Sequence, residues 1–380
     1  SPHGSPADAG SRVRRRPAAQ PPPLMLLASG RSGRRGEEFF IVSLDQISQK
    51  WKLPSNVAGA SLMAIGSSAP ELAIALLALF QGDSEHSDLG IGTIVGSAVF
   101  NILVIAGASA IVRPAKITFN VVIRDCLIYV ASIILLLVVF ADGNITMLEA
   151  CSFVALYAIY IYVLFQWDKF MPLDEVEKAA LEAEAKAAAE AVAAAEHGHT
   201  DKKNIHHVIS GYIGKGIGFL TGDARENYIR TFVVAILIIA GLSYVLVEMA
   251  IIFSGAVGIP PVIVALTILA GGTSVPDLIS SIVVARQGRG DMAVANAVGS
   301  NIFDILIGLG IPWIIAMLVL GNEIHVGTGD LWVSTFLLLG TVVILFFFLS
   351  TERLLSRIEG WVLVLLYVVY VIWTLFGGGI

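Results

Sequence analysis

The sequence predicts an all-α, polytopic membrane protein. Apolar residues make up 56% of its 380 residues and charged residues only 14%, against about 25% charged residues in an ordinary soluble domain. The mean hydropathy is +0.81, and the apolar residues are gathered in long runs such as LIYVASIILLLVVF. A pair of motifs also occurs twice, once in each half of the chain. Together these features exclude an ordinary soluble domain, a disordered chain and a disulfide-stapled module.

A helix that crosses the hydrocarbon core of a bilayer needs about 20 mostly apolar residues. Nine stretches meet this requirement, at about 55–81, 89–112, 122–140, 146–166, 230–254, 259–285, 292–320, 331–350 and 359–376.

Two polar regions flank or interrupt these stretches. Residues 1–36 are rich in Pro, Arg, Ser, Ala and Gly, which indicates a disordered tail or a targeting segment. Residues 167–229 contain an Ala-, Glu- and Lys-rich part that favours a solvated helix inside a long loop. We therefore expect a first membrane half at 37–166 and a second at 230–380.

Lysine and arginine occur in every second loop between the stretches. The basic loops lie near 113–121, 167–229, 286–291 and 351–358. Because basic loops remain on the cytoplasmic side, these four loops are expected there, or on the equivalent side of an organelle membrane, with 167–229 as the cytoplasmic loop. The first stretch then runs from inside to outside.

The repeated motifs lie at about 55–112 and 259–312. The first copy reads IGSSAPEL and then VGSAVFN, and the second reads GGTSVPDL and then VGSNIFD. Five crossings separate the two starting points, an odd number, so the second copy enters the membrane from the opposite side. An inverted repeat of interrupted helices is typical of secondary transporters, which bind their cargo near the bilayer midplane.

Each copy carries a proline, Pro70 or Pro276, inside a predicted span. Proline cannot donate to the carbonyl four residues earlier, so we expect bent helices and freed carbonyls at Gly66 and Gly272. In hydrocarbon such a carbonyl needs another partner, and a cation is one.

Both copies also place an oxygen-bearing pair four residues apart, on one helix face. The pairs are Ser67 with Glu71, Thr273 with Asp277, Ser97 with Asn101, and Ser300 with Asp304. Ser68 and Ser274 add hydroxyls beside the first motifs. Acids inside a membrane are costly and mark functional sites, and an all-oxygen donor set suits hard cations such as calcium, sodium and potassium.

Other acids do not share this pattern. Asp88, Asp125, Glu149 and Asp291 lie at the ends of the predicted spans, where we expect them to be solvated. The histidines in loops do not suggest a metal centre.

The motif segments resemble the cation/calcium exchanger superfamily, and within it the potassium-dependent sodium/calcium exchangers. The resemblance is strong over about 37–112 and 250–312. It implies a fold of about ten transmembrane helices, of which nine are clear here and the first is truncated or atypical. It also implies exchange of sodium for calcium, with potassium moving alongside calcium.

Carried onto this sequence, the resemblance assigns Glu71 and Asp277 as the central calcium carboxylates. It implies hydroxyl ligands at Ser67, Ser68, Thr273 and Ser274, and backbone carbonyls near Ala64 and Ala270. Ser97, Asn101, Ser300 and Asp304 would complete the sodium and potassium sites, with Asp304 linked to potassium.

Charge counting leaves one question open. The three acids Glu71, Asp277 and Asp304 carry −3 when ionised, which one calcium with one potassium balances, as do three sodium ions. A buried Asp304 that carries a proton would instead leave calcium alone to balance the other two. A potassium-independent sodium/calcium exchanger or a proton/calcium exchanger is therefore the alternative.

Other classes fit less well. A net charge of −6 argues against nucleic acid as a partner, and no pairing of a nucleophile with histidine supports an intramembrane enzyme. We expect no cofactor. The expected partners are the transported calcium, sodium and potassium ions and the lipid bilayer. The plasma membrane is the expected location, with an organelle membrane as the alternative, and the sequence sets no oligomeric state.

Overall fold

The structure is a computed structural model of the chain. It describes residues 68–80, 84–116, 119–170, 228–286, 290–321, 324–326, 328–350 and 354–377. The predicted tail at 1–36 and most of the predicted loop at 167–229 lie outside the described residues.

Helices dominate the first half. They are α1 (Ala69–Phe80), α2 (Ser84–Phe100), a π-helical segment π1 (Asn101–Ile105), α3 (Ala106–Val112), α4 (Phe119–Val139) and α5 (Met147–Phe170). Two short strands, β1 (Ala115–Lys116) and β2 (Asn144–Ile145), flank α4.

The second half begins with one long helix and three short helical segments, and its later elements follow the order of the first half. It comprises α6 (Tyr228–Val257), α7 (Pro261–Val264), π2 (Ala265–Leu269), α8 (Ala270–Thr273), α9 (Val275–Arg286), α10 (Gly290–Leu306), α11 (Gly310–Leu320), β3 (Ile324–His325), α12 (Thr328–Ser350), β4 (Leu354–Leu355) and α13 (Arg357–Gly377).

Each of the predicted apolar stretches coincides with one or more of these helices, the first only over α1. Five helical spans in the described residues are long and apolar enough to cross a membrane, with a sixth candidate formed by Gly241–Val257 and Pro261–Thr273. That pair is bent by 119° at Gly258, whose φ of 75° suits glycine. The chain is thus an integral, multi-pass membrane protein built from helices.

The strands show that the two halves are related by an approximate twofold axis. β1 pairs with β4, and β2 pairs with β3, both antiparallel. Since β1 corresponds to β3 and β2 to β4 in the order of elements, exchanging the two halves converts one pairing into the other. Each pairing also joins two loops that the basic residues assign to the same side.

The helix starts after β2 and β4 repeat the same capping interaction. Glu149 accepts a hydrogen bond from the backbone N–H of Thr146 at 2.8 Å, and Glu359 accepts one from Ser356 at 2.7 Å. Both are capping boxes, in which a hydroxyl residue precedes the first turn and an acid follows three residues later. The duplication therefore extends beyond the repeated motifs to the last helix of each half.

Packing around the motifs is duplicated as well. Phe100 packs edge-on against Tyr367 of α13 at 5.3 Å, and the corresponding Phe303 packs edge-on against Tyr157 of α5 at 5.7 Å between ring centroids. Leu278 joins the first cluster and Leu72 the second. The two clusters therefore pair corresponding residues of the two copies.

Several boundaries differ from the sequence prediction. The predicted span 89–112 contains π1, and the predicted span 292–320 is interrupted by a turn at 307–309. At that turn the N–H of Gly308 bonds to the carbonyl of Phe303 at 3.0 Å, the five-residue spacing of a π turn. Both copies therefore widen the helix just after the second motif, at corresponding positions. The loop predicted at 82–88 is also shorter, because α2 begins at Ser84.

The prediction that Asp125 is solvated at a span end is wrong. Asp125 is buried and accepts two hydrogen bonds from the neighbouring Arg124, at 2.8 and 3.0 Å. The Tyr160 hydroxyl of α5 approaches the same carboxylate at 3.3 Å. A buried acid is tolerated here because an equally buried guanidinium pairs with it.

The backbones of α2 and π2 approach each other closely at Gly96 and Leu266. A Cβ atom at Gly96 would overlap the Leu266 carbonyl oxygen and lie 2.7 Å from its Cα. Backbone atoms cannot move aside as a flexible side chain can, so only glycine permits this contact.

Replacement Gly96→Ala is expected to lower the free energy of unfolding by about 1–3 kcal/mol or more, the usual cost of overpacking. The measurement is the thermal unfolding midpoint of purified protein in detergent. Gly340→Ala is the matched control, because Gly340 lies in a helix with nothing within 4 Å of an added Cβ. An equal midpoint for both variants would contradict the close contact.

Candidate functional site

Two short helices begin at corresponding serines, and each carries an acid in its first turn. The chain bends at Ser68 before α1 and turns at Ser274 before α9. Glu71 and Asp277 lie in the first turns of these helices and are buried, at 2% and 6% exposure. A helix N-terminus carries partial positive charge, which stabilises a carboxylate at this position.

The interruptions fall two residues before the prolines rather than at them. Pro70 and Pro276 occupy the first turns of α1 and α9, where a missing N–H costs least. The following N–H groups bond back to the serines, Leu72 to Ser68 at 3.1 Å and Leu278 to Ser274 at 3.0 Å. The predicted bending is present, while the freeing of the Gly66 and Gly272 carbonyls stays a prediction.

The third acid, Asp304, comes from α10. Asp304 is 2% exposed, and its carboxylate interacts with the charges of Glu71 and Asp277. The Ser68 side chain lies next to it, near enough to interact but outside ordinary hydrogen-bond geometry. Its Oδ1 atom accepts no hydrogen bond from any residue that the structure describes. The fold thus gathers all three predicted acids in one buried region.

These acids do not form a single chelating cluster. Within the described part of the chain, no group of three His, Cys, Asp or Glu side chains is placed to hold one metal ion. An ion in this region would therefore take most of its ligands from hydroxyl, amide and carbonyl oxygens, with one or two carboxylates.

The predicted hydroxyl donors are buried and positioned by their own helices. Ser97, Thr273 and Ser300 donate to the carbonyls of Ile94, Ala270 and Ala297 at 3.0, 3.2 and 3.3 Å. A hydroxyl that donates its proton to the backbone keeps its oxygen lone pairs for another partner. Ser274, at 1% exposure, has no hydrogen-bond partner for its hydroxyl among the described residues.

The structure describes only one of the three remaining predicted ligands, Ala270. Ser67 and Ala64 lie outside the described residues. The Ala270 carbonyl accepts from the Ser274 N–H and from the Thr273 hydroxyl, both at 3.2 Å.

An amide network joins the two repeats at their crossing, and the sequence reasoning did not single it out. Asn101 donates to Asn301 at 2.8 Å and to Ser300 at 3.3 Å. Asn301 in turn donates to the Ala98 carbonyl at 3.0 Å and to the Tyr129 hydroxyl at 2.8 Å. Ala98 and Asn301 occupy the same position of the two motif copies, so the twofold axis passes close to this contact.

Two sequence signals could have pointed to this network. Asn301 stands where the other repeat has an alanine, and an unmatched amide in a membrane helix requires partners. Tyr129 places a hydroxyl inside the apolar run of α4.

Comparison with known proteins identifies the family. The family model described as sodium/calcium exchanger protein matches residues 24–166 and 227–376. The human sodium/potassium/calcium exchanger 5 is 31% identical over 73% of this chain and 67% of its own length. The human sodium/potassium/calcium exchanger 4 is 27% identical over 87% of this chain and 76% of its own length.

Solved structures share the fold. The sodium-calcium exchanger NCX_Mj superposes with a TM-score of 0.53 at 20% identity, over 92% of this chain and 95% of its own. The H+/Ca2+ exchanger CAX superposes with a TM-score of 0.64 at 15% identity, over 89% of this chain and 78% of its own. At such identities the likeness establishes the fold.

Replacement Tyr129→Phe tests the amide network. It leaves one N–H of Asn301 buried without an acceptor, which is expected to lower the free energy of unfolding by about 1–3 kcal/mol. The thermal unfolding midpoint in detergent is the measurement. Tyr162→Phe is the control, since Tyr162 is 62% exposed on the outer surface of α5. If both variants unfold like the wild type, Tyr129 does not support the crossing.

Proposed function

This chain belongs to the sodium/calcium exchanger protein family, and we propose that it is a secondary active antiporter that exchanges sodium for calcium. Potassium moves together with calcium, and transport follows alternating access. The observation that carries the proposal is that Glu71, Asp277 and Asp304 are buried and that Asp304 interacts with the other two, with buried hydroxyl side chains in both repeats.

The chemistry of the donors selects the class of cargo. Every candidate ligand offers oxygen, from carboxylate, hydroxyl, amide or backbone carbonyl groups. Calcium, sodium and potassium are hard cations that prefer such ligands, whereas zinc and copper prefer nitrogen or sulphur. Glu71 and Asp277 are the proposed calcium carboxylates, with hydroxyls from Ser67, Ser68, Thr273 and Ser274 and carbonyls near Ala64 and Ala270.

Charge balance supports coupling between the ions. Three ionised carboxylates in a buried region are strongly unfavourable unless cations neutralise them. One calcium with one potassium carries the same charge as three sodium ions, so either load neutralises Glu71, Asp277 and Asp304. The two loads then compete for overlapping oxygens, including those of Ser97, Asn101 and Ser300.

The geometry of the half-helices supports alternating access. α1 runs from the acidic region toward the loop near 82–88, and α9 runs from it toward the basic loop near 286–291. We propose that the halves have opposite orientations in the membrane and together form about ten spans. The N-termini of two opposed half-helices then meet near the midplane, as in transporters with inverted repeats.

Potassium dependence rests on Asp304 and on the names of the relatives, which are sodium/potassium/calcium exchangers. The plasma membrane is the proposed location, because a steep inward sodium gradient is maintained there. A potassium-independent sodium/calcium exchanger and a proton/calcium exchanger are the outcomes against which the flux experiments are designed.

Replacement Asp277→Asn is expected to leave the protein folded and to abolish sodium-driven calcium flux. The amide keeps the volume of the side chain but removes the charge that balances a divalent cation. Isotopic calcium uptake into vesicles that contain the purified protein is the measurement. Asp142→Asn, in an exposed turn, is the matched control and should transport like the wild type. Retained flux in Asp277→Asn would refute its role.

Replacement Asp304→Asn is expected to remove the response of calcium flux to potassium. Without the third charge, calcium alone balances Glu71 and Asp277, so potassium has nothing to neutralise. Flux is measured with and without potassium in wild type and variant, against the same Asp142→Asn control. A wild type that ignores potassium, or a variant that still requires it, contradicts the assignment.

A further inference from the structure

Two buried serines lie outside the ion site described above and have no hydrogen-bond partner in the described part of the chain. Ser109 of α3 is 0% exposed and Ser281 of α9 is 2% exposed. The hydroxyl oxygen of each has no partner within hydrogen-bond distance. Serines inside membrane helices commonly donate to their own backbone, as Ser132 does to Tyr129 at 2.7 Å. Ser109 and Ser281 do not.

Each serine follows a proposed site residue along the same helical span. Ser281 follows Asp277 by four residues, so the two share one face of α9. Ser109 lies eight residues after Asn101, on the face of α3 turned away from α13. The opposite face contacts α13 at Gly107, where an added Cβ would lie 2.8 Å from the Gly360 carbonyl.

The helices that carry these serines pack against each other. α9 contacts α3 and π1 as well as α10, and Ser281 lies on the buried side of α9. Both helices run from the acidic region toward loops that carry basic residues, after Val112 and after Arg286. The two hydroxyls therefore lie between the acids and the side that the basic loops place inside.

The other half of the repeat has no such hydroxyls. The positions corresponding to Ser281 and Ser109 are Ala75 of α1 and Pro312 of α11, both buried, and α1 packs against α11. The twofold-related region on the outer side is thus apolar at both positions. An unpartnered buried hydroxyl is unfavourable, so its presence on one side alone calls for a ligand that is absent from the free chain.

We propose that Ser109 and Ser281 form a transient sodium site on the inward path, one turn of α9 nearer to the inner side than Asp277. Two neutral hydroxyls replace part of the water shell of a monovalent cation. A divalent cation would need charged ligands there, because its desolvation cost rises with the square of its charge. The proposal rests on the proposed exchange function and makes its two sides unequal. Sodium passes an additional binding site on the inner side that the outer side lacks.

Replacements Ser281→Ala and Ser109→Ala test the site. The half-saturating sodium concentration on the inner side is expected to rise about threefold to tenfold, the usual worth of one hydrogen-bond-like contact. The half-saturating sodium concentration on the outer side should stay unchanged. The half-saturating calcium concentration on the inner side should change less than that of sodium. Tracer calcium flux in inside-out vesicles reports the inner side, and flux in intact cells reports the outer side.

Ser132→Ala is the matched control, a buried membrane serine that bonds to its own helix. The thermal midpoint adds a second measurement: removing an unpartnered hydroxyl should not lower the stability of either variant, whereas a structural role would. An unchanged inner sodium dependence, equal shifts on both sides, an equal shift for calcium, or a lowered midpoint overturns the proposal. A wild type without sodium-dependent calcium flux instead overturns the proposed function itself.

Discussion

The burial of three carboxylates in a membrane protein is the constraint around which the rest of the fold is arranged. Glu71, Asp277 and Asp304 are each at most 6% exposed, and charges of one sign in a low-dielectric region repel each other strongly. The chain reduces this cost by starting a helix just before two of the acids, where the helix N-terminus carries partial positive charge. What remains is a demand for positive charge, which the transported cations meet in the function proposed above.

The two halves share their scaffold, and the positions at which they differ provide the amide and carboxylate groups of the crossing. The strand pairings, the capping boxes and the edge-on aromatic pairs repeat from one half to the other. At the crossing the copies diverge, since Asn101 corresponds to Asp304 and Ala98 to Asn301. A perfectly symmetric protein would carry either two or four acids here. The single exchange of amide for carboxylate gives three, and it also frees Asn101 to bond with the opposite repeat.

The sequence predicted what depends on local spacing. Four-residue spacing places Asp304 on one face of α10 with Ser300, as expected. The same expectation is wrong for Thr273 and Asp277, because the helix is interrupted at Ser274 between them. The sequence could not predict what depends on which helices meet. Asn301 acquires its role because α2 and Tyr129 of α4 cross next to it, and Asp125 is buried because α5 and its own neighbour Arg124 enclose it.

The same packing suggests where movement occurs during exchange. α2 and α10 are joined by amide hydrogen bonds, and Gly96 locks α2 against π2 through backbone contact, so this centre resists displacement. The flanking clusters are different, because Phe100 with Leu278 and Phe303 with Leu72 make equivalent apolar contacts. Apolar contacts are non-directional, so they restrict relative helix movement less than the hydrogen bonds of the crossing do. Under the alternating-access mechanism proposed above, movement is therefore expected in the flanking helices rather than at this crossing.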